Sequence, residues 1–289
     1  MQNLNLLVSG LTLGAIYALV ALGFNLVFRM TGIIDFAQGD KVVLGGLIGL
    51  TLLNAGLSQT AILLVVILAI GLVLGVIYDW VAILPTQRHG AIAAVAATVG
   101  MSLVFANGHS LIWGPDARPF PPVVDSTIDV AGLRITYQSV AVWLVLALVA
   151  ICLGVLMERT RVGRGMIAAS TDALAATAVG INVTRARAIS FALAFGLATV
   201  AGVLVAPITL AGGGSLGISL TLKGFTGAIL GGLDSTTGVV VGALLLGVVE
   251  SQIAVFLPSG YVDPAVFALL IVVLLLMPNG LSGLRRRLA

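Results

Sequence analysis

The chain has 289 residues, 60% of them hydrophobic and only 9% charged, with a mean hydropathy of +1.19 and a formal net charge of +3. A soluble domain carries roughly a quarter charged residues, so an ordinary cytosolic enzyme is excluded. The apolar residues gather in charge-free runs on the scale of the about 20 residues that a bilayer-crossing helix needs. The single Cys152 leaves no disulfide framework and no cysteine metal site, and His89 and His109 form no cluster, so neither metal nor cofactor is expected. The basic excess sits in short loops, where it sets orientation in a membrane rather than attracting nucleic acid.

In chain order, residues 4–28 provide 25 positions without a charge, enough for one tilted helix. The leading Met-Gln-Asn-Leu has no basic n-region, and the apolar stretch is too long for a signal-peptide core, so it reads as the first span. Residues 42–78 are charge-free but too long for one helix, and the polar stretch at 54–59 divides them in two. Further single spans are expected at 89–115, 135–157 and 188–210, the last broken by Gly212-Gly213-Gly214. The remainder places Asp234, Glu250 and Asp263 within apolar sequence.

Arginines set the orientation. Arg159, Arg161, Arg164, Arg185 and Arg187 in residues 158–187, and Arg285, Arg286 and Arg287 in the tail, mark the cytoplasmic face, with the N-terminus outside. The proline-rich residues 114–138 balance two arginines with Asp116, Asp125 and Asp129 and fit the opposite face. Within them, alternation around Ala131-Gly132 predicts a small β-hairpin.

Both basic segments lie inside only if an even number of crossings separates them. Three helices are evident there, at 188–210, 236–257 and 264–278. The missing crossing is assigned to residues 222–234, a short stretch ending in Gly231-Gly232-Leu233-Asp234. Broken segments at membrane depth are tolerated only where they pack in protein or line a cavity. The expected fold is a single-domain, all-α polytopic membrane protein with about eight transmembrane helices plus a short Gly-rich broken or re-entrant segment. A weak repeat supports it: Asp35-Phe-Ala-Gln-Gly39 and Asp234-Ser-Thr-Thr-Gly238 each precede a Gly-rich apolar stretch.

Asp35, Gln38 and Asp234 are candidates for a translocation path, because polar residues at membrane depth are costly. A structural reading competes with this. It puts Asp35 at a helix end near Arg29 and Lys41, and makes Asp234 an N-cap before Thr236-Thr237. Glu250 either lines the path or is satisfied within the bundle. Neither Lys41 nor Lys223 follows a glycine, so there is no phosphate-binding loop, and no hydrolase motif is present. Enzyme chemistry has no candidate residues. Trp113 and Tyr137 fit interfacial anchors, the tail arginines fit lipid headgroups, and Asn107 and His109 fit structural hydrogen bonds.

The cytoplasmic loop predicts an Ala-rich helix over 166–179 that stops at Gly180 and is too short to stand without a docking partner. Its Ala175-Ala176-x-x-x-Gly180 resembles the Glu-Ala-Ala-x-x-x-Gly coupling loop of ABC importer permeases, with Leu174 replacing the glutamate. The wider chain resembles the branched-chain amino acid permease family, the Liv-type inner-membrane subunits. The resemblance rests on Gly10-Leu-Thr-Leu-Gly-Ala-Ile-Tyr17, Thr31-Gly-Ile-Ile-Asp-Phe-Ala-Gln-Gly39, Trp113-Gly-Pro-Asp-Ala-Arg-Pro-Phe120, Glu158-Arg-Thr-Arg-Val-Gly-Arg164, Ile229-Leu-Gly-Gly-Leu-Asp234 and Met277-Pro-Asn-Gly-Leu281. One departure stands out. The family usually has Asn-Phe-Ala-His-Gly-Glu where this chain has Asp35-Phe-Ala-Gln-Gly-Asp40.

The resemblance implies an importer subunit in a bacterial inner membrane that works by alternating access. Its implied partners are cytoplasmic ATP-binding subunits, a second permease subunit forming a heterodimer, and a periplasmic substrate-binding protein that docks near 114–138. It assigns Asp172, Ala175, Ala176 and Gly180 to the coupling loop and ATP hydrolysis to the partners. Two rivals stand beside it: a urea or short-amide importer permease of the same architecture, and a stand-alone secondary transporter driven by a gradient.

Overall fold

The computed structural model describes residues 2–57, 59–122, 126–130, 133–213, 215–276 and 280. Arg285, Arg286, Arg287, Met277-Pro-Asn and the turn pair Ala131-Gly132 lie outside these. Among the described residues there are eleven α-helices and one two-stranded hairpin: α1 Gln2–Thr31, α2 Gln38–Asn54, α3 Thr60–Tyr78, α4 Ala91–Trp113, β1 Thr127–Val130, β2 Leu133–Thr136, α5 Tyr137–Arg159, α6 Arg161–Thr171, α7 Ala173–Ala178, α8 Val183–Thr209, α9 Leu216–Gly231, α10 Thr236–Phe256 and α11 Ser259–Leu276. The hairpin pairs Thr127 with Thr136 and Val130 with Leu133, in the register the alternation predicts.

Among the described residues six helices are long and apolar enough to cross a membrane: the segments Leu4–Thr31, Thr60–Thr86, Ala91–Trp113, Tyr137–Arg159, Val183–Thr209 and Thr236–Phe256. The chain is a multi-pass membrane protein. The expected second span is α2, which has only 17 residues and buries Asp40 and Lys41 in its first turn. The Gly-rich segment expected over 222–234 begins earlier, at Leu216, as the 16-residue α9. Residues 166–179 form two helices rather than one, because Asp172 leaves helical geometry (φ −151°, ψ 103°) and caps the second. Ser235, not Asp234, is the N-cap of α10, its Oγ accepting from the Gly238 N–H at 3.1 Å.

Contacts along the helices set their directions. The last turns of α1 meet the starts of α8 and α10: Ser190 Oγ donates to the Leu26 carbonyl at 2.7 Å, and Thr236 Oγ1 donates to Asn25 Oδ1 at 3.1 Å. The early part of α1 meets the late part of α10, where Gly10 lies against Val248 and Ser251. Helix α1 therefore runs antiparallel to both. Helix α3 is likewise antiparallel to α8, with Tyr78 packed on Phe191 and Thr199 Oγ1 donating to the Ile67 carbonyl at 3.2 Å.

Helix α2 runs with α8, from Gln38 beside Ala194 to Gly49 beside Val203. Helix α9 runs with α1, from Gly224 beside Val20 to Leu233 just beyond its end, whose carbonyl accepts from Asn25 Nδ2 at 2.6 Å. The principal pairings keep their form when α1, α2 and α3 are exchanged with α8, α9 and α10. The repeat is thus present but not in the register Asp35 to Asp234, since the counterpart of α2 is α9 and not α10. A Gly-rich apolar helix after Asp-x-x-x-Gly is a pattern that close packing alone produces.

Helices α1 and α8 form the centre. Residues 190–206 of α8 are buried almost all round, as a helix apolar on every face must be. Small residues let backbones touch: a Cβ on Gly202 would lie 2.0 Å from the Val42 carbonyl oxygen, and one on Gly247 would lie 2.1 Å from Gly14 N. Gly202→Ala is expected to destabilise the folded chain by about 1–3 kcal/mol or more, because rigid backbone faces the new methyl. Gly108→Ala, with nothing within 4 Å, should be neutral. Thermal unfolding of the two variants in detergent checks this.

Candidate functional site

Two helices begin inside the bundle rather than at its surface. After α1 ends at Thr31, residues 32–37 turn back into the interior and α2 starts at the depth of Ala194, well inside α8. After α8 ends at Thr209, residues 210–213 turn inward through Gly212 and Gly213, both at positive φ, and α9 starts beside Asp40. The two starts meet. The Gly39 N–H donates to Thr221 Oγ1 at 2.9 Å, and Thr221 Oγ1 also lies 3.3 Å from the Phe36 carbonyl. From this junction α2 runs toward residues 114–122, where Trp113 Nε1 donates to Thr51 Oγ1 at 2.9 Å. Helix α9 runs toward the arginine-rich end.

Asp35 is fully buried at this junction and satisfies the broken backbone. Its Oδ1 accepts from the Ala37 N–H at 3.1 Å and from Tyr78 Oη at 2.8 Å, and its Oδ2 accepts from Lys41 Nζ. Lys41 is equally buried and sits over the Tyr78 ring, 3.9 Å from its centroid. Gln38 Nε2 donates to the Ala194 carbonyl at 3.3 Å, while its Oε1 is buried without a partner. Asp40 accepts from Ser102 Oγ of α4. The proximity of Asp35 to Lys41 and the place at a helix end are as expected, but that end is the start of α2 inside the bundle and not at a cytoplasmic surface.

Glu250 lies elsewhere, in a second buried cluster. Lys223 of α9 donates to Glu250 Oε1 of α10 at 2.7 Å and to Asp263 Oδ1 of α11 at 2.8 Å. Its Nζ also lies 5.7 Å from the Tyr17 ring centroid on α1, and Glu250 Oε2 is buried without a partner. Each of the two interior-starting helices therefore carries a lysine held by acids and an aromatic ring. Asp234 joins neither cluster: it is exposed at the arginine-rich end, between Leu233 and the Ser235 cap.

Both of the chain's lysines are in these clusters; sequence reasoning placed Lys41 near Asp35 but used Lys223 only to exclude a phosphate-binding loop. The usable signal was there: an isolated charge within apolar sequence requires a counter-charge. A third ion pair was also missed. Arg187, expected among the cytoplasmic arginines, is 2% exposed and forked on Asp79 at 2.7 and 3.2 Å. Asn107 makes the structural bond expected of it, Nδ2 donating to the Leu103 carbonyl at 2.7 Å, whereas His109 Nε2 is buried and unpaired.

At the arginine-rich end, α6 packs on α5, α1 and α8, and α7 projects beyond it. Thr160 caps α6, accepting from the Gly163 N–H at 3.0 Å. Asp172 Oδ1 accepts from the N–H groups of Leu174 and Ala175, both at 2.9 Å. Gly180 (φ +85°) ends α7 in a Schellman motif, with Ile181 N–H to the Ala176 carbonyl at 2.9 Å and Gly180 N–H to Thr177 at 3.0 Å. Ala176 faces inward, whereas Leu174 is 86% and Val179 76% exposed.

Lys41→Met should cost about 3–5 kcal/mol by stranding the Asp35 charge in the interior. The double variant Asp35→Asn, Lys41→Met should recover most of that. Unfolding midpoints and the yield of monodisperse protein from a double-mutant cycle check the coupling.

Residues 6–277 match the profile of a family described as the permease component of the branched-chain amino acid transport system. The high-affinity branched-chain amino acid transport system permease protein LivH of Salmonella typhimurium is 33% identical, over 95% of this chain and 94% of its own length. LivH of Escherichia coli K12 is 32% identical over the same shares, and BraD of Pseudomonas aeruginosa 31% over 96% and 94%. The ribose import permease RbsC of Haemophilus influenzae is 25% identical over 93% and 83%. No solved structure matches significantly.

Proposed function

Because the chain belongs to the family of branched-chain amino acid transport permease components, we propose that it is the membrane subunit of an ATP-driven importer for branched-chain or related hydrophobic amino acids. The observation that carries this reading is the junction of α2 and α9. Helices that start in the interior and point to opposite faces are how transporters place a pathway at the bilayer midplane, and the buried Asp35–Lys41 pair braces the break there. In this reading α2, α9 and α11 are further traverses beside the six long helices, the N-terminus is periplasmic and the C-terminus cytoplasmic, supported by the arginines gathered at one end of the bundle. The whole chain forms one permease domain in a bacterial inner membrane.

Asp35 and Gln38 bound the pathway where α2 starts, Glu250 with Lys223 and Asp263 bounds it on the side of α9, and Asp234 stands at the cytoplasmic mouth. Residues 114–138 form the periplasmic loop and receive a substrate-binding protein. Residues 158–187 form the cytoplasmic coupling loop. There α7, fixed by Asp172 and ended by Ala175, Ala176 and Gly180, presents Leu174 to an ATP-binding subunit. Hydrolysis belongs to that partner. Its motion reaches the bundle through the packing of α6 on α1 and α8, and a second, related permease subunit completes the pathway. The relatives found are named for branched-chain amino acids ahead of other cargo, which favours these over urea or short amides.

Leu174→Arg should abolish co-purification with the ATP-binding subunits while leaving the thermal midpoint unchanged, since the side chain is exposed. Asp172→Ala, which removes the cap of α7, should loosen the loop by about 1 kcal/mol and lower leucine uptake without unfolding the bundle. Uptake by proteoliposomes holding this chain and no ATP-hydrolysing subunit would overturn the reading.

A further inference from the structure

Asp40 has a role that the junction itself does not supply. Its side chain is buried, at 3% exposed, and accepts from Ser102 Oγ, yet no basic side chain pairs with it among the described residues, Lys41 being engaged by Asp35. A buried carboxylate whose neighbouring cation, Lys41, is held by another acid is one of the more costly arrangements at membrane depth.

Asp40 also lines a cleft between α2, α4 and the start of α9. On the opposite wall stands His109, 7% exposed, its ring stacked on Phe105 and its Nε2 without a partner. Gly213 and Gly217 form the floor, and at Gly217 a Cβ would lie 2.0 Å from Asp40 Oδ1. Val43 and Leu47 add an apolar side to the same cleft. The closed cleft has room for a water-sized group.

We propose that the Asp40–His109 cleft is a binding site for the ammonium group of the transported amino acid. An ammonium is the size of the space. It supplies Asp40 with a direct ion-pair partner and an N–H for the unpaired Nε2 of His109. Val43 and Leu47 are placed to meet the aliphatic stem. The cleft abuts Gly114, so it lies toward the end of the bundle from which substrate is proposed to arrive. This assignment rests on the transport reading above for the identity of the ligand, but the site is defined by its own chemistry.

The test uses the purified full chain in detergent with radiolabelled isopentylammonium as probe. Leucine is expected to displace the probe, while isocaproate, which has the same stem and no ammonium, and sodium are not. Asp40→Asn should weaken binding about tenfold or more, the scale of a lost hydrogen bond to a charged group. Displacement by isocaproate as effective as by leucine, or by sodium alone, overturns the proposal, and so does an unchanged affinity in Asp40→Asn. These competitions need no variant, so they decide the matter even if Asp40→Asn fails to fold. In the assembled importer, Asp40→Asn should raise the KM for leucine. An unchanged KM sinks the ammonium site and leaves the transport reading intact, whereas Asp40-dependent probe binding without any leucine uptake by the unmutated importer does the reverse.

Discussion

In a hydrocarbon medium every backbone polar group and every charge must find its partner inside the protein, and this requirement organises the molecule around two helices that start in its interior. Residues 32–37 carry non-helical backbone into the bundle, so their N–H groups need acceptors. Asp35 supplies one to Ala37 and Thr98 supplies another to Phe36, at 3.2 Å. The Asp35 charge then needs Lys41, and Lys41 sits on the face of Tyr78. One break in a helix thereby recruits groups from α2, α3 and α4.

The second break repeats the logic with different residues. Helix α9 places Lys223 between Glu250 and Asp263, so the helices following the break are tied by charge rather than by side-chain interlock alone. Around both breaks the remaining attraction is van der Waals contact. Lipid tails offer no hydrophobic drive for helices to associate, so the backbones must come close. The positions of Gly45 against Thr199, Gly75 against Ala192 and Gly14 against Leu244 show how tightly they do. A bundle locked by ion pairs at its junction and by glycines along its seams suits a subunit that switches between discrete arrangements.

Much of this was legible in the sequence. Long charge-free runs located α1, α3, α4, α5 and α8, and the apolar run around Glu250 located α10, because bilayer thickness sets a minimum length, and alternation around residues 131–132 gave the hairpin in its register. The extra element expected over 222–234 is present as α9, although its start at Leu216 was hidden, because the glycines just before it read as a loop. The helix expected over 166–179 divides at Asp172, whose short carboxylate competes with helical backbone for N–H groups. Asp234, open between a pathway residue and an N-cap in the sequence, stands between the ends of two helices, where its neighbour Ser235 is the cap.

Sequence alone determined that this chain lives in a membrane, that neither of its lysines sits in a phosphate-binding-loop motif, and which family its ordered motifs resemble. These follow from composition, length and local pattern, which need no knowledge of what lies across the bundle. Only the tertiary structure decided the partners of the buried charges. Asp35 finds Tyr78 at a separation of 43 residues, Lys223 finds Glu250 at 27 and Arg187 finds Asp79 at 108. A charge in apolar sequence announces that it must be neutralised, but which opposite charge does so is fixed by which helices touch.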